Sequence, residues 1–207
     1  QCHGKTPLPP YIKRSLKDQQ DPFDQESYQT IFAKDTGSVA APTSGLHFTD
    51  RVFDTLAKKN IEIQYVTLHI GLGTFFPVKH KNIEEHAMHK ENFLVPRKTL
   101  QAIIKAKSNK SKIVVVGTTS LRSLESLYLL SGKKEENMFD HCDEWLETDL
   151  FIYPKTNKKV YQPWAIDGLI TNFHQPQSTL FMLICALVGN EEAHDLYRYA
   201  LQQRYRF

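Results

Sequence analysis

The stretch Ile113-Val114-Val115-Val116-Gly117-Thr118-Thr119-Ser120-Leu121-Arg122 decides the reading of this chain. Four consecutive β-branched apolar residues are too few for a helix and too apolar for a half-exposed strand. They predict a strand over 113–116 buried on both faces, the kind found in α/β proteins. Gly117 ends it, and Leu121 to Leu130 reads as the helix that follows. A strand–turn–helix junction of this kind aims backbone N–H groups and hydroxyls past the strand's carboxyl end, where the helix dipole favours negative charge. The alternative for Thr118, Thr119 and Ser120 is plain helix capping. Arg122 opposes the dipole in the first turn, which hints at an anion or a carboxylate that keeps it there.

The neighbouring segments extend the α/β pattern. Ile61, Ile63, Tyr65 and Thr67 alternate with polar residues, so 61–70 is predicted to be a strand ending in the Gly71-Leu72-Gly73 turn. Phe93–Val95, Leu150–Tyr153 and Leu169–Thr171 read as further strands. Helices are predicted over 24–33, over 49–59 with Thr49 as cap and Val52, Phe53, Leu56 and Ala57 inward, and from Pro96 onward. A buried helix over 180–188 is capped by Ser178 or Thr179, and a last helix groups Ala193, Leu196, Tyr197, Ala200 and Leu201. Residues 131–147 read as a polar loop, and 155–159 as an exposed hairpin. Strands alternating with helices give an α/β class, either barrel-like or an open mixed sheet with flanking helices.

Bulk properties narrow the function classes. The 41% apolar and 24% charged content of the 207 residues is globular and argues against wholesale disorder. A net charge of +3 permits a polyanionic partner without demanding one. Cys2, Cys142 and Cys185 form no CxxC pair, which fits a reducing, cytoplasmic setting rather than a disulfide framework. The longest apolar run, 180–188, is about half of what spans a bilayer. Phosphate-loop, GxGxxG and GxSxG motifs are missing, which removes support for P-loop, dinucleotide-binding and nucleophile-elbow readings. Pro7 to Ile12 is a rigid connector and candidate domain boundary. Gln1-Cys2-His3-Gly4 reads like the middle of a longer chain.

Candidate reactive groups are histidines. His47, in Ser44-Gly45-Leu46-His47-Phe48, follows a small-residue loop, and loops carry function disproportionately. His69 ends a predicted strand beside Gly71 and Gly73, which permit close approach of a ligand; the alternative is a structural role. His80, His86 and His89 with Glu91 form the densest ligand-type cluster, readable as a zinc site, a solvated polar edge or a substrate-contacting loop.

Taken together and in order, several segments resemble one family. They are Pro7–Ile12, Tyr28–Ala33, Ala40–Phe48, Leu68–Phe75, His86–Glu91, Val116–Glu125 and Leu169–Leu180, and they are similar to the S-adenosylmethionine:tRNA ribosyltransferase-isomerases of queuosine biosynthesis. The resemblance runs across essentially the whole chain. It implies that residues 1–207 are an incomplete catalytic α/β domain. A smaller β-rich domain would lie upstream of 7–12, and a short tail would follow. Two departures stand out: Lys155 where the family tends to have Gly, and Gln175 and Gln177 in place of Leu and Lys.

The resemblance further implies S-adenosylmethionine as co-substrate, no metal, tRNA as partner through its anticodon loop, and no membrane. His47 and His69 become candidate base and acid, since imidazole titrates near working pH. Arg122 with Gly117, Thr118, Thr119 and Ser120 would meet the methionine carboxylate, and Gly71, Gly73 and Thr74 would be further substrate-binding residues. Phe48 or Phe75 would meet the sulfonium, and Asn172 and His174 a base edge. Lys13, Arg14, Lys79, Lys81, Arg97 and Lys98 are candidate phosphate contacts. The rival readings are a zinc-dependent hydrolase on His80, His86, His89 and Glu91, and a non-catalytic tRNA-binding fragment.

Overall fold

The computed structural model describes residues 8, 27–35, 37–38, 40–71, 83–86, 88–155 and 160–206. Among these, three short strands pair antiparallel in the order β1 (Thr67–His69), β2 (Glu91–Leu94), β4 (Leu146–Thr148). A second sheet pairs β3 (Val114–Val116) with β5 (Gly168–Ile170) in parallel. Among the described residues, six α-helices flank them: α1 (Asp50–Lys58), α2 (Arg97–Ser108), α3 (Thr118–Leu130), α4 (Glu135–Met138), α5 (Thr179–Val188) and α6 (Asn190–Gln202). Of the two architectures open to the sequence, the sheets are the open kind; the described strands close no barrel.

α3 is the hinge of this arrangement because nearly every residue from Thr118 to Leu127 is buried. Its apolar side chains Leu121, Leu124 and Leu127 join Phe93, Val95 and Leu100 in one core. Two polar contacts sew it to the three-stranded sheet: Arg122 to Glu91 of β2, and Ser126 to Thr148 of β4, whose hydroxyls lie 2.5 Å apart. Glu125 sews it to the segment before β5, accepting from the Tyr161 hydroxyl at 2.6 Å and the Trp164 N–H at 2.7 Å. Burial raises the Glu125 carboxyl above its ordinary pKa and raises the Tyr161 hydroxyl as well. Tyr128 stacks on Trp164 at 5.2 Å, and the Lys107 ammonium sits 4.3 Å from the Trp164 ring centre.

Several sequence expectations change here. β3 is not buried on both faces: Val115 points into the core, but Val114, on the opposite face, is 54% exposed. The strand at 61–70 shrinks to Thr67–His69, since β2 pairs only those residues. Leu150–Tyr153 has no strand partner among the described residues; Ile152 is nonetheless core, so its apolar pattern reflects packing rather than pairing. The polar stretch 131–147 holds α4, a 3-10 turn at Phe139–His141 and the start of β4.

From Tyr28 to Asp35 the chain is turn and coil rather than helix. α1 matches its expected span, but Thr49 makes no side-chain cap bond and Ala57 is exposed. Phe53 instead anchors α1, edge-on to Phe32 at 5.9 Å. Ser178 is the cap of α5, its Oγ accepting from the Phe181 N–H at 3.1 Å. On α6, Ala193 and Ala200 are buried but Leu196 and Leu201 are exposed, so the inward stripe is narrower than expected. The hairpin at 155–159 lies almost wholly outside the described residues. No helix is long and apolar enough to cross a membrane among the described residues.

Candidate functional site

The parallel pair β3–β5 organises the site. Asp167 fixes its lower end, taking the Ile113 N–H at 2.9 Å and the Lys112 ammonium at 2.7 Å. At the upper end the Gly117 N–H donates to the Ile170 carbonyl at 2.9 Å, carrying the pairing one step past both strands. Gly117 has φ +90, so a side chain there would strain the backbone although space exists for it. The bend swings the chain directly into α3. The cap position of α3 is Gly117, which offers no side chain to the first-turn N–H groups. Thr118, Thr119 and Ser120 lie inside the first turn.

Leaving β5, Thr171, Asn172, Phe173 and His174 run past the same edge. Asn172 Oδ1 lies 2.9 Å from His47 Nε2, closing a gap of 125 residues in sequence. His47 ends a 3-10 turn at Thr43–His47 and is exposed. Three of the segments singled out in the sequence thus converge: 45–48, 117–122 and 171–174. This is the carboxyl end of two parallel strands, where open α/β sheets bind ligands.

The other candidates fall as follows. Phe48 is half-buried with its ring 6.0 Å from Phe53. His174 is held by its backbone N–H donating to the Tyr197 oxygen at 2.9 Å, with Nε2 3.2 Å from Thr171 Oγ1. Burial lowers its pKa from the ordinary 6.5 to about 4, so the ring is neutral near pH 7. Gly71 has no neighbour within 4 Å of its side-chain position among the described residues. Gly73, Thr74 and Phe75 lie outside the described residues.

Arg122 is 2% exposed, and the carboxylate nearest it is the protein's own. Its Nη1 bonds Glu91 at 2.7 Å and its Nε donates to the Leu150 carbonyl at 3.0 Å. Nη2 has no hydrogen-bond partner among the described residues. The sequence could not show this pair, because nothing in the spacing of Glu91 and Arg122 marks them as neighbours.

His69 ends β1, in the three-stranded sheet rather than at the β3–β5 edge. Its ring lies 4.5 Å from the Trp145 ring, and its Nε2 is buried without a hydrogen-bond partner among the described residues. Gly37, at φ +142, leaves room for that ring: a Cβ there would come within 2.8 Å of it. The next residue in β1's path, Ile70, donates its N–H to Ser38 Oγ at 3.0 Å. Trp145 and Gly37 escaped the sequence reading; the first sits in a stretch read as loop, and the second carried no periodic signal.

The zinc reading loses its anchor, since Glu91 faces Arg122. His86 turns its ring edge-on to Phe151 at 5.5 Å, and His89 is exposed. His80 lies outside the described residues, and among those described no three His, Cys, Asp or Glu are grouped to hold a metal ion. Of the candidate phosphate contacts, Arg97 is tied into the fold by Asp143 and the Phe139 carbonyl. Lys98 is exposed, and Lys13, Arg14, Lys79 and Lys81 are outside the described residues.

Comparison with known proteins sets this geometry in context. Residues 1–207 match the family described as "Queuosine biosynthesis protein". The S-adenosylmethionine:tRNA ribosyltransferase-isomerase of Treponema denticola is 47% identical over 205 residues, covering 99% of this chain and 55% of that protein. Its namesake from Thermosipho melanesiensis is 45% identical over 204 residues, with the same coverage of 99% and 55%. The crystal structure of S-adenosylmethionine tRNA ribosyltransferase from Thermotoga maritima is similar at TM-score 0.57 and 34% identity, over 79% of this chain and 48% of that one. The chain therefore spans about half the length of the curated relatives it matches.

Proposed function

Given that the chain belongs to the queuosine biosynthesis protein family, we propose that it provides the donor-cleaving site of an S-adenosylmethionine:tRNA ribosyltransferase-isomerase. In this reading S-adenosylmethionine gives up its ribosyl group, not its methyl group. The acceptor is an aminomethyl-deazaguanine at the wobble position of a tRNA anticodon, and the products are epoxyqueuosine, adenine and methionine. The setting is the cytoplasm, where tRNA is modified. The observation that carries the reading is the meeting of His47 and Asn172 with an uncapped helix start at the end of β3 and β5.

The chemistry follows from the sulfonium. Its positive charge acidifies the adjacent C5′ protons of the ribose, so a general base can remove one while the ring opens and adenine departs. The aminomethyl nitrogen then adds to the sugar, and an epoxide closes as methionine leaves. Such a sequence requires a base, an acid for the adenine nitrogen and a seat for the methionine carboxylate.

We assign the base and acid to His47 and His69. Asn172 orients the His47 ring through Oδ1, which favours a proton on the nitrogen facing it and frees the other nitrogen to accept. The N–H groups of Thr118, Thr119 and Ser120, with Gly117, form the seat for the carboxylate, an arrangement the helix dipole favours. Arg122 lies in the same turn with Nη2 unspent. Gly71, Gly73 and Thr74 are assigned to substrate binding, and Phe48 or Phe75 to cation–π attraction with the sulfonium. Asn172 and the neutral His174 read the edge of the acceptor base, and the tRNA phosphates meet the surface lysines and arginines, Lys98 among them.

Purified protein given S-adenosylmethionine and tRNA carrying the deazaguanine precursor should release adenine, measured by chromatography. His47→Ala and His69→Ala should each lower the rate about a hundredfold or more. Turnover within about threefold of the unaltered protein in both would sink the acid–base assignment. Stoichiometric zinc in the purified protein would instead favour the hydrolase.

A further inference from the structure

The strand register sorts the three-stranded sheet into two faces. Leu68, Phe93 and Leu146 form one cross-strand row, and His69, Asn92 and Glu147 the next. Neighbouring rows point to opposite faces. Phe93 is fully buried, so its row faces the core and α3, and the His69 row faces away from it. On that outer side Trp145, just before β4, lays its indole against the His69 ring while remaining 49% exposed. Gly37 closes on the His69 ring, and its missing Cβ is what allows this. An indole with one side on a confined imidazole and about half its surface in water is a ready stacking platform.

The charge around it selects what stacks. Between residues 140 and 149 the chain carries Asp140, Asp143, Glu144, Glu147 and Asp149, with His141 as the one basic side chain. Asp143 and Glu147 are partly answered by Arg97 and Lys90; the surplus remains negative. Such a rim repels RNA phosphates, which would have to approach within a Debye length of it. It attracts S-adenosylmethionine, whose sulfonium and ammonium outweigh its one carboxylate. Resting on the function proposed above, we infer that Trp145 is a donor-specificity residue, whose indole stacks the departing adenine beside His69. The His69 Nε2, buried without a partner among the described residues, is an unmade hydrogen bond beside that stack, where a purine edge can satisfy it.

The test separates stacking from folding by measuring adenine and methionine binding independently. Equilibrium dialysis with each, and with tRNA, is run on the unaltered protein, Trp145→Ala and Trp145→Phe. Stacking of this kind is worth about fivefold to a hundredfold in affinity, so Trp145→Ala should weaken adenine binding by that factor. Trp145→Phe keeps a ring and should stay within about fivefold, while methionine and tRNA binding hold within about twofold for both variants. Unchanged adenine binding in Trp145→Ala overturns the inference, as does a parallel loss of adenine and methionine or a loss of tRNA alone. If the unaltered protein releases adenine from the donor while Trp145→Ala binds adenine normally, only the platform fails. Should the unaltered protein bind neither adenine nor donor, the underlying function fails with it.

Discussion

Replacing Arg122 by Met should destabilise the fold by roughly 3–5 kcal/mol, the range for removing one partner of a buried ion pair. Both side chains are 2% exposed, so water cannot take the place of the lost guanidinium. The Glu91 carboxylate would keep its burial but lose the 2.7 Å bond to Nη1, and the Leu150 carbonyl would lose its 3.0 Å donor. Glu91→Gln should cost a comparable amount, because it leaves the cation facing a neutral amide. The double variant should be less destabilised than the sum, by about 2–3 kcal/mol, since no isolated charge stays buried. Urea unfolding followed by tryptophan fluorescence measures all three. A cost under about 1 kcal/mol for Arg122→Met, or simple additivity of the pair, would refute the claim that this contact fastens α3 to β2.

Other contacts lead to further expectations. Ser178→Ala removes the cap of α5 and should cost about 1 kcal/mol in the same unfolding assay. Gly117→Ala must place a side chain at φ +90 and should cost about 1–2 kcal/mol while disturbing the carboxylate seat, so methionine binding should weaken alongside. His174 titrates near 4 in the folded chain and near 6.5 when unfolded, so between those values only the unfolded chain takes up the proton. Stability should therefore fall as pH drops from about 6.5 toward 4, by up to about 3 kcal/mol, and His174→Asn should flatten that part of the curve. Asn172→Ala frees the His47 ring and should reduce adenine release about tenfold or more, with donor affinity little changed.

How much of this was legible in the sequence depends on the range of the interaction. The Ile113–Leu130 junction was, because an apolar run, a glycine and a helix start are all local signals, and α3 begins within three residues of where it was read. Ser178 was legible as a cap for the same reason. Leu150–Tyr153 was misread because a short apolar run reports burial, and Ile152 is buried while its segment has no strand partner among the described residues. β4 was missed since three residues with a Glu in the middle carry almost no pattern; pairing with β2 makes them a strand. The site divides likewise. Spacing marked His47, His69 and the Gly117 turn one by one, but not the His47–Asn172 bond, the Arg122–Glu91 pair or Trp145 against His69. Those joins depend on which strands become neighbours, a property of the assembled sheets.

The central claim is that this site cleaves S-adenosylmethionine at its ribose. Two preparations of the donor, one labelled in the ribose and one in the methyl group, test it most directly when each is incubated with the protein and precursor tRNA. Ribose label should enter the tRNA, while methyl label remains in released methionine. Methyl label in the tRNA, or ribose label that never leaves the donor, would contradict it.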